Sequence, residues 1–278
     1  MRKIQYVYPS PEIMMGPIKL HQAIPQTGIE QLSPFILLHH FDLQIEPGVN
    51  SFHVPPHPHR GFCPITYMFD GSVLHKDSLG NEAEIHAMEV QWIVAARGII
   101  HSESISTEFV QQGGRFQGIQ LWINLAAKDK MLPPQYKPIT KEDMVMLEAN
   151  NMTVQLVSGK LQGREGVVSS DSLTAMIHSE EGGEFSFDAL GYETLALYIL
   201  EGEMEVNDML AFAKQLVLFD AEEGSVTITT NKESKALLLG GNVIHEPLVT
   251  HGPFVMNNET ELLEAMRDYQ QGKMGFLY

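Results

Sequence analysis

Turn residues break this chain at intervals of roughly eight to twelve residues, and the runs between them are short and β-rich. Pro47-Gly48, Asp70-Gly71, Leu79-Gly80-Asn81, Gly113-Gly114, Glu181-Gly182-Gly183, Glu201-Gly202 and Glu223-Gly224 are the clearest breaks. Between them lie runs such as Ile65-Thr66-Tyr67-Met68-Phe69, Val90-Gln91-Trp92-Ile93-Val94 and Ser225-Val226-Thr227-Ile228-Thr229, rich in β-branched and aromatic residues. Helical periodicity is scarce before the C-terminus. Many short strands at even spacing bury their apolar faces by packing sheet on sheet or by closing a barrel, so the expected fold class is all-β.

The proline-bearing stretch Leu132-Pro133-Pro134-Gln135-Tyr136-Lys137-Pro138 reads as an extended connector, because proline cannot donate to a central ladder. It predicts two lobes, 1–139 and 140–278. Tyr67-Met68-Phe69-Asp70-Gly71 is echoed about 130 residues later by Tyr198-Ile199-Leu200-Glu201-Gly202, each a strand running into a tight turn. A helix is predicted over about 258–272, packing across a barrel. Leu262, Leu263, Met266 and Tyr269 form its apolar face, Asn258 and Glu261 its capping box, and Gly272 its stop.

Composition narrows the function classes. Thirty-five acidic against eighteen basic residues give a net charge of −17, a surface that repels a phosphate backbone, so direct nucleic-acid binding is not expected. No window approaches the roughly 20 apolar residues of a membrane span. The N-terminal Met1-Arg2-Lys3-Ile4-Gln5-Tyr6 lacks an apolar signal-peptide core. Cys63 is the single cysteine, which rules out an internal disulfide and fits a reducing compartment; the expected location is the cytoplasm.

Nine of the twelve histidines lie within the first 101 residues, and two pairs stand out: His57-Pro58-His59 and His101-Ser102-Glu103. Side chains two apart on a strand point to the same face, so each pair can present two ligand atoms to one side of a sheet. If the two strands are neighbours, three imidazoles and a carboxylate converge. That donor set suits one divalent first-row metal, with Fe(II), Mn, Co, Ni and Zn all admissible. His53 reads as a loop residue, and His75 and His86 as members of a solvent-facing hairpin. His178, His245 and His251 are isolated and are given no ligand role. Trp92 and Trp122 read as barrel core, and the scattered methionines as gap-fillers.

Pro56-His57-Pro58-His59-Arg60-Gly61-Phe62 resembles the first metal motif of the pirin family, a branch of the cupins. Val90-Gln91-Trp92-Ile93-Val94-Ala95-Ala96-Arg97-Gly98-Ile99-Ile100-His101-Ser102-Glu103 resembles the second. Tyr67–Gly71, His75–Asn81, Pro34–Leu38, Gln120–Leu125, Gly252–Asn257 and Arg267–Lys273 extend the likeness over essentially the whole chain. The resemblance implies a bicupin of two antiparallel β-barrels, with one metal, usually iron, on His57, His59, His101 and Glu103. It also implies a dioxygenase that cleaves a flavonol such as quercetin with dioxygen, releasing carbon monoxide. Glu103, the only non-imidazole in the shell, is our candidate base for the substrate's 3-hydroxyl proton.

Two other classes stay open: a metal- or redox-responsive regulator acting through protein partners, as pirin-type transcription co-regulators do, and a non-redox cupin such as a zinc isomerase. The sequence departs from the family at Cys63, where Glu is common, and at Pro56 and His39, where Asp is frequent. Cys63 is read as a small buried residue, with a thiolate beside the metal as the alternative. The offset that aligns the two Tyr-x-x-acid-Gly echoes carries the ligand pairs onto Asp188 and Leu190 and onto Lys232 and Ser234. The second lobe is therefore expected to hold no metal.

Overall fold

The computed structural model describes residues 1–277 and is built from antiparallel ladders with two α-helices. Two antiparallel β-barrels divide the chain between them. One compact unit holds Met1–Ile13, His21–Pro34 and Lys141–Val243, and the other holds Met14–Leu20, Phe35–Thr140 and the chain from Ile244 onward. The lobes are thus not the consecutive halves 1–139 and 140–278 that the proline-rich connector suggested, although one seam does fall at Thr140. The reason is strand exchange at the ends. Ile4–Pro9 pairs with Gln215–Phe219, and the Arg2 guanidinium, 1% exposed, donates to the carbonyls of Ala189, Tyr192, Glu193 and Asp220. Such long-range pairing leaves no mark on local composition.

In the unit carrying the histidine pairs, a seven-stranded sheet runs in the order Gln135–Ile139, Val90–Val94, Phe62–Asp70, Gly114–Asn124 and Phe35–Ile45, with two N-terminal strands beyond. A four-stranded sheet runs His53–His59, Ile99–Ile105, Ser72–Asp77 and Glu82–His86. The last helix, Glu259–Gln270, buries Leu262 and Ala265 in a cluster with Ile100, Phe254, Met256 and Met274. Leu263, expected on that face, is 66% exposed. It lies about 100° around the helix from Leu262, whereas Met266 shares Leu262's side. Asn258 caps the helix by accepting the Glu261 amide at 3.0 Å, and Glu261 returns a bond to the Asn257 amide.

The other unit repeats the plan, with a seven-stranded sheet in which Thr194–Glu201 takes the place of Phe62–Asp70. Both strands are followed by a glycine of positive φ, Gly71 at 82° and Gly202 at 79°. At either position a Cβ would collide with neighbouring atoms, so the acid-Gly echo marks a repeated turn. In this unit's four-stranded sheet, Gly183–Ala189 and Gly224–Thr230 stand where the strands of the histidine pairs stand in the other. They send Phe185, Phe187, Val226 and Ile228 into an apolar core. The linear offset onto Asp188, Leu190, Lys232 and Ser234 misaligned the pairs, because connection lengths differ between the repeats.

Candidate metal centre

His53–His59 and Ile99–Ile105 are neighbours, and their register sets His101 opposite His57 and Ile99 opposite His59. From His101 to Glu103 the ladder advances two residues, while its partner moves three, from His57 to Val54. The extra residue falls at Pro55-Pro56, which have no N–H to offer the ladder, so a bulge forms beside the histidines. Beyond the motif, Arg60 exchanges backbone bonds with Pro253 and Val255, and its guanidinium donates to the Arg97 carbonyl and to Asp268. Lys130, 1% exposed, donates to the Gly61 and Val255 carbonyls and to Asn124. The end of the first metal motif is therefore clamped from two sides.

The nearest available ligand atoms of His57, His59 and His101 all lie within 4.8 Å of one another. Nε2 of His57 and Nε2 of His59 are 3.0 Å apart, while His57 Nδ1 lies 2.9 Å from the Pro55 carbonyl. A carbonyl only accepts, so Nδ1 of His57 carries the proton and a neutral His57 turns a lone pair toward His59. His59 and His101 are 2% and 0% exposed. Burial, followed by repulsion from neighbouring imidazoles, pushes both far below the usual histidine range; the Pro253 carbonyl opposes this weakly at His59. Neither ring nitrogen of His101 has a hydrogen-bond partner. Buried polar atoms are rarely left so. Deprotonated imidazoles facing one another at this distance fit a divalent first-row cation, which would satisfy their lone pairs.

Glu103 is 3% exposed but does not belong to that 4.8 Å cluster. Its Oε1 accepts from Gln91 at 2.7 Å and Thr66 at 3.2 Å, and its Oε2 from Gln120 at 3.4 Å. These donors belong to one lateral row of the larger sheet: Gln91 pairs with Thr66, Thr66 with Gln120, and Gln120 with His39. The row was missed in the sequence, yet a signal existed. Thr66, Gln91 and Gln120 are polar residues inside apolar strands, a combination that usually marks a buried partner.

A cavity of about 260 Å³ opens beside His57, His59 and Glu103. Its walls include Ile18, Leu20, Phe41, Phe52, Val73 and Trp122, with His39 among them. Burial lowers the His39 imidazole to about 4, so it is neutral at physiological pH. Trp122, expected in the core, instead borders the site, 5.4 Å from His59 between ring centroids, with its N–H donated to Gln120. Trp92 is core, at 5% exposure.

The remaining histidines sort differently from expectation at two points: His53, read as a loop residue, opens the strand His53–His59 and pairs with Ser104, and His75 is not at the surface. His53 and His86 are exposed, but His75 is fully buried, stacked on Tyr136 at 4.1 Å and 5.5 Å from the ring of His101. Its strand is not a solvent-facing hairpin but the third strand of the sheet that carries the histidine pairs. Its Nε2 lies 3.1 Å from Asp77. Burial pushes the Asp77 carboxyl up, but bonds from His75 and Asn81 together outweigh it and hold the group below its usual range. His178, His245 and His251 lie outside the cluster. Cys63 is buried, is absent from the cavity wall, and has its thiol pushed up to about 12, chiefly by burial. Thr66 on the same strand faces Glu103, so Cys63, three residues away, points to the opposite side.

Residues 18–123 match the family described as Pirin, and residues 174–275 match the Pirin C-terminal cupin domain. The chain belongs to the pirin family. Among its relatives, a pirin-like protein of Solanum lycopersicum is 34% identical, the alignment covering 92% of this chain and 87% of the relative. A Pseudomonas aeruginosa protein provisionally named a quercetin 2,3-dioxygenase is also 34% identical, over 92% of this chain and 91% of the relative. The crystal structure of quercetin 2,3-dioxygenase from Acinetobacter baumannii superposes with a TM-score of 0.90 at 28% identity, covering all of both chains. This pirin is a bicupin, and among its described residues no helix is long and apolar enough to cross a membrane.

Proposed function

We propose that this pirin is a metal-dependent dioxygenase of the quercetin 2,3-dioxygenase type, with Fe(II) on His57, His59 and His101 and Glu103 as the fourth ligand. The observation that carries the reading is a cluster of three imidazoles, two of them buried and held neutral, at the edge of a largely apolar cavity. About 260 Å³ lies just below the roughly 300–1,000 Å³ of common small-molecule sites, a size for one flat aromatic molecule. The relatives' names point to the same chemistry.

When bound, the ion supplies Lewis acidity to a substrate hydroxyl and an electronic path to dioxygen. The protein's own residues do the rest. Gln91 and Thr66 saturate Oε1 of Glu103, leaving Oε2, with one long contact to Gln120, as the oxygen with spare lone pairs. That oxygen would ligate the metal with one lone pair and take the 3-hydroxyl proton of a flavonol with the other. Phe41, Phe52, Val73 and Trp122 exclude water from the resulting anion. Addition of dioxygen then opens the ring and expels carbon monoxide, with both oxygen atoms retained in the products and no external reductant. The buried, reduced Cys63 is in keeping with a cytoplasmic site of action.

Metal analysis of anaerobically purified protein, followed by loss of flavonol absorbance under air, tests the assignment. Glu103→Gln keeps the side chain's size and removes the base. It should retain metal yet lose turnover by at least about 100-fold, with a smaller change in KM. Wild-type turnover in metal-loaded Glu103→Gln would eliminate the carboxylate as base.

A further inference from the structure

The four-stranded sheet places a second layer of ionisable groups behind the imidazole cluster. Asp77 is the cross-strand partner of His101, and His75 that of Glu103, so all four project from the same face. Asp77 is anchored independently of His75: its Oδ1 accepts the Leu79 and Asn81 amides at 2.8 and 3.0 Å, and its Oδ2 accepts Asn81 Nδ2 at 2.8 Å. The carboxylate can only accept from His75, so Nε2 of His75 carries a proton and, in the neutral ring, Nδ1 is left as an acceptor. That Nδ1 is buried without a partner. So are both nitrogens of His101, whose ring centroid is 5.5 Å from that of His75. Tyr136, stacked within 3° of parallel on His75, keeps the ring from tilting out of its plane.

We propose that Asp77 and His75 form a buried relay that receives the metal-remote N–H of His101 and so fixes which nitrogen of His101 faces the metal. The proposal rests on the metal-centre reading above. His75 is a positioning residue: it touches neither substrate nor metal and acts through the orientation and basicity of a ligand. A ligating histidine commonly donates its second N–H to a carboxylate, carbonyl or water. Here the facing imidazole of His75 would take that place once a metal is held, itself oriented by the carboxylate behind it.

Zinc-loaded protein labelled with ¹⁵N at histidine gives the direct readout, and zinc affinity the second. Long-range ¹H–¹⁵N spectra should show His75 protonated on Nε2 and bare on Nδ1. His75→Phe, which keeps the stack on Tyr136, should weaken zinc binding on the order of 10- to 100-fold while leaving tryptophan fluorescence native. His75→Gln can accept from His101 and donate to Asp77, so it should recover most of that loss. A His75 protonated on Nδ1, a His75→Phe affinity within about twofold of wild type, or a loss that Gln does not rescue would each overturn the relay while leaving the metal centre standing. Wild-type protein that takes up no zinc, manganese or iron would overturn the centre and the relay together.

Discussion

Replacing Lys130 by Met keeps the bulk of a buried side chain and removes its ammonium, which donates to the Gly61 carbonyl at 2.7 Å, Asn124 at 2.6 Å and the Val255 carbonyl at 3.0 Å. Three buried acceptors lose their donor, each at about 2 kcal/mol, or about 6 kcal/mol together. Against this stands the cost of burying the cation, which lowers the Lys130 pKa from 10.5 to about 8. That shift corresponds to about 3 kcal/mol, recovered when the charge is deleted. The net expectation is a loss of about 3 kcal/mol at neutral pH, or a fall of roughly 1 M in the urea midpoint at an m-value of about 3 kcal/mol/M. The two tryptophans, Trp92 and Trp122, both lie in the unit that contains Lys130, so selectively excited tryptophan fluorescence follows that unit. The sign with pH is a second check. Between about pH 8 and 10.5 the unfolded chain holds the Lys130 proton and the folded one does not, so wild-type stability rises across that window. Lys130→Met lacks the rise, and the gap between the two proteins should widen. A Lys130→Met protein as stable as wild type at pH 7.5, or a gap that narrows toward pH 10, would refute the reasoning and show burial of the charge outweighing its bonds.

Other outcomes follow from the site. His101→Ala should abolish stoichiometric metal uptake, measured by titration and elemental analysis, whereas His178→Ala and His245→Ala should leave it intact; the reverse pattern would misplace the centre. His39, lowered to about 4 by burial, stays neutral in the fold while the unfolded residue protonates near 6.5, so stability is lost as pH falls through that window, by up to about 3 kcal/mol. His39→Phe should flatten that part of the pH profile in metal-free protein, and an unchanged slope would contradict the assignment. Cys63→Ser should alter neither metal content nor the iron spectrum, since the thiol is neutral and turned away from the cavity; a sulfur-to-iron band lost in the variant would reverse this.

The fold class and the histidine pairs were legible in the sequence because both are properties of neighbouring residues. Turn glycines, β-branched runs and the two-residue alternation of His57-Pro58-His59 act within a few residues of themselves. The Asp70-Gly71 and Glu201-Gly202 echo was readable for the same reason: each glycine serves a left-handed turn that other residues rarely adopt. What the tertiary structure decided is everything set by pairing between distant strands. Gln91, Thr66 and Gln120 hold Glu103 only because three strands bring them into one row. His75 looked like a surface residue until its strand was placed beside His101. The first and last segments joined units that no local composition announces. Local backbone preference is encoded residue by residue, whereas ladder register depends on the whole set of buried contacts. The histidine pairs of this pirin were therefore visible in one dimension, and the groups packed behind them only in three.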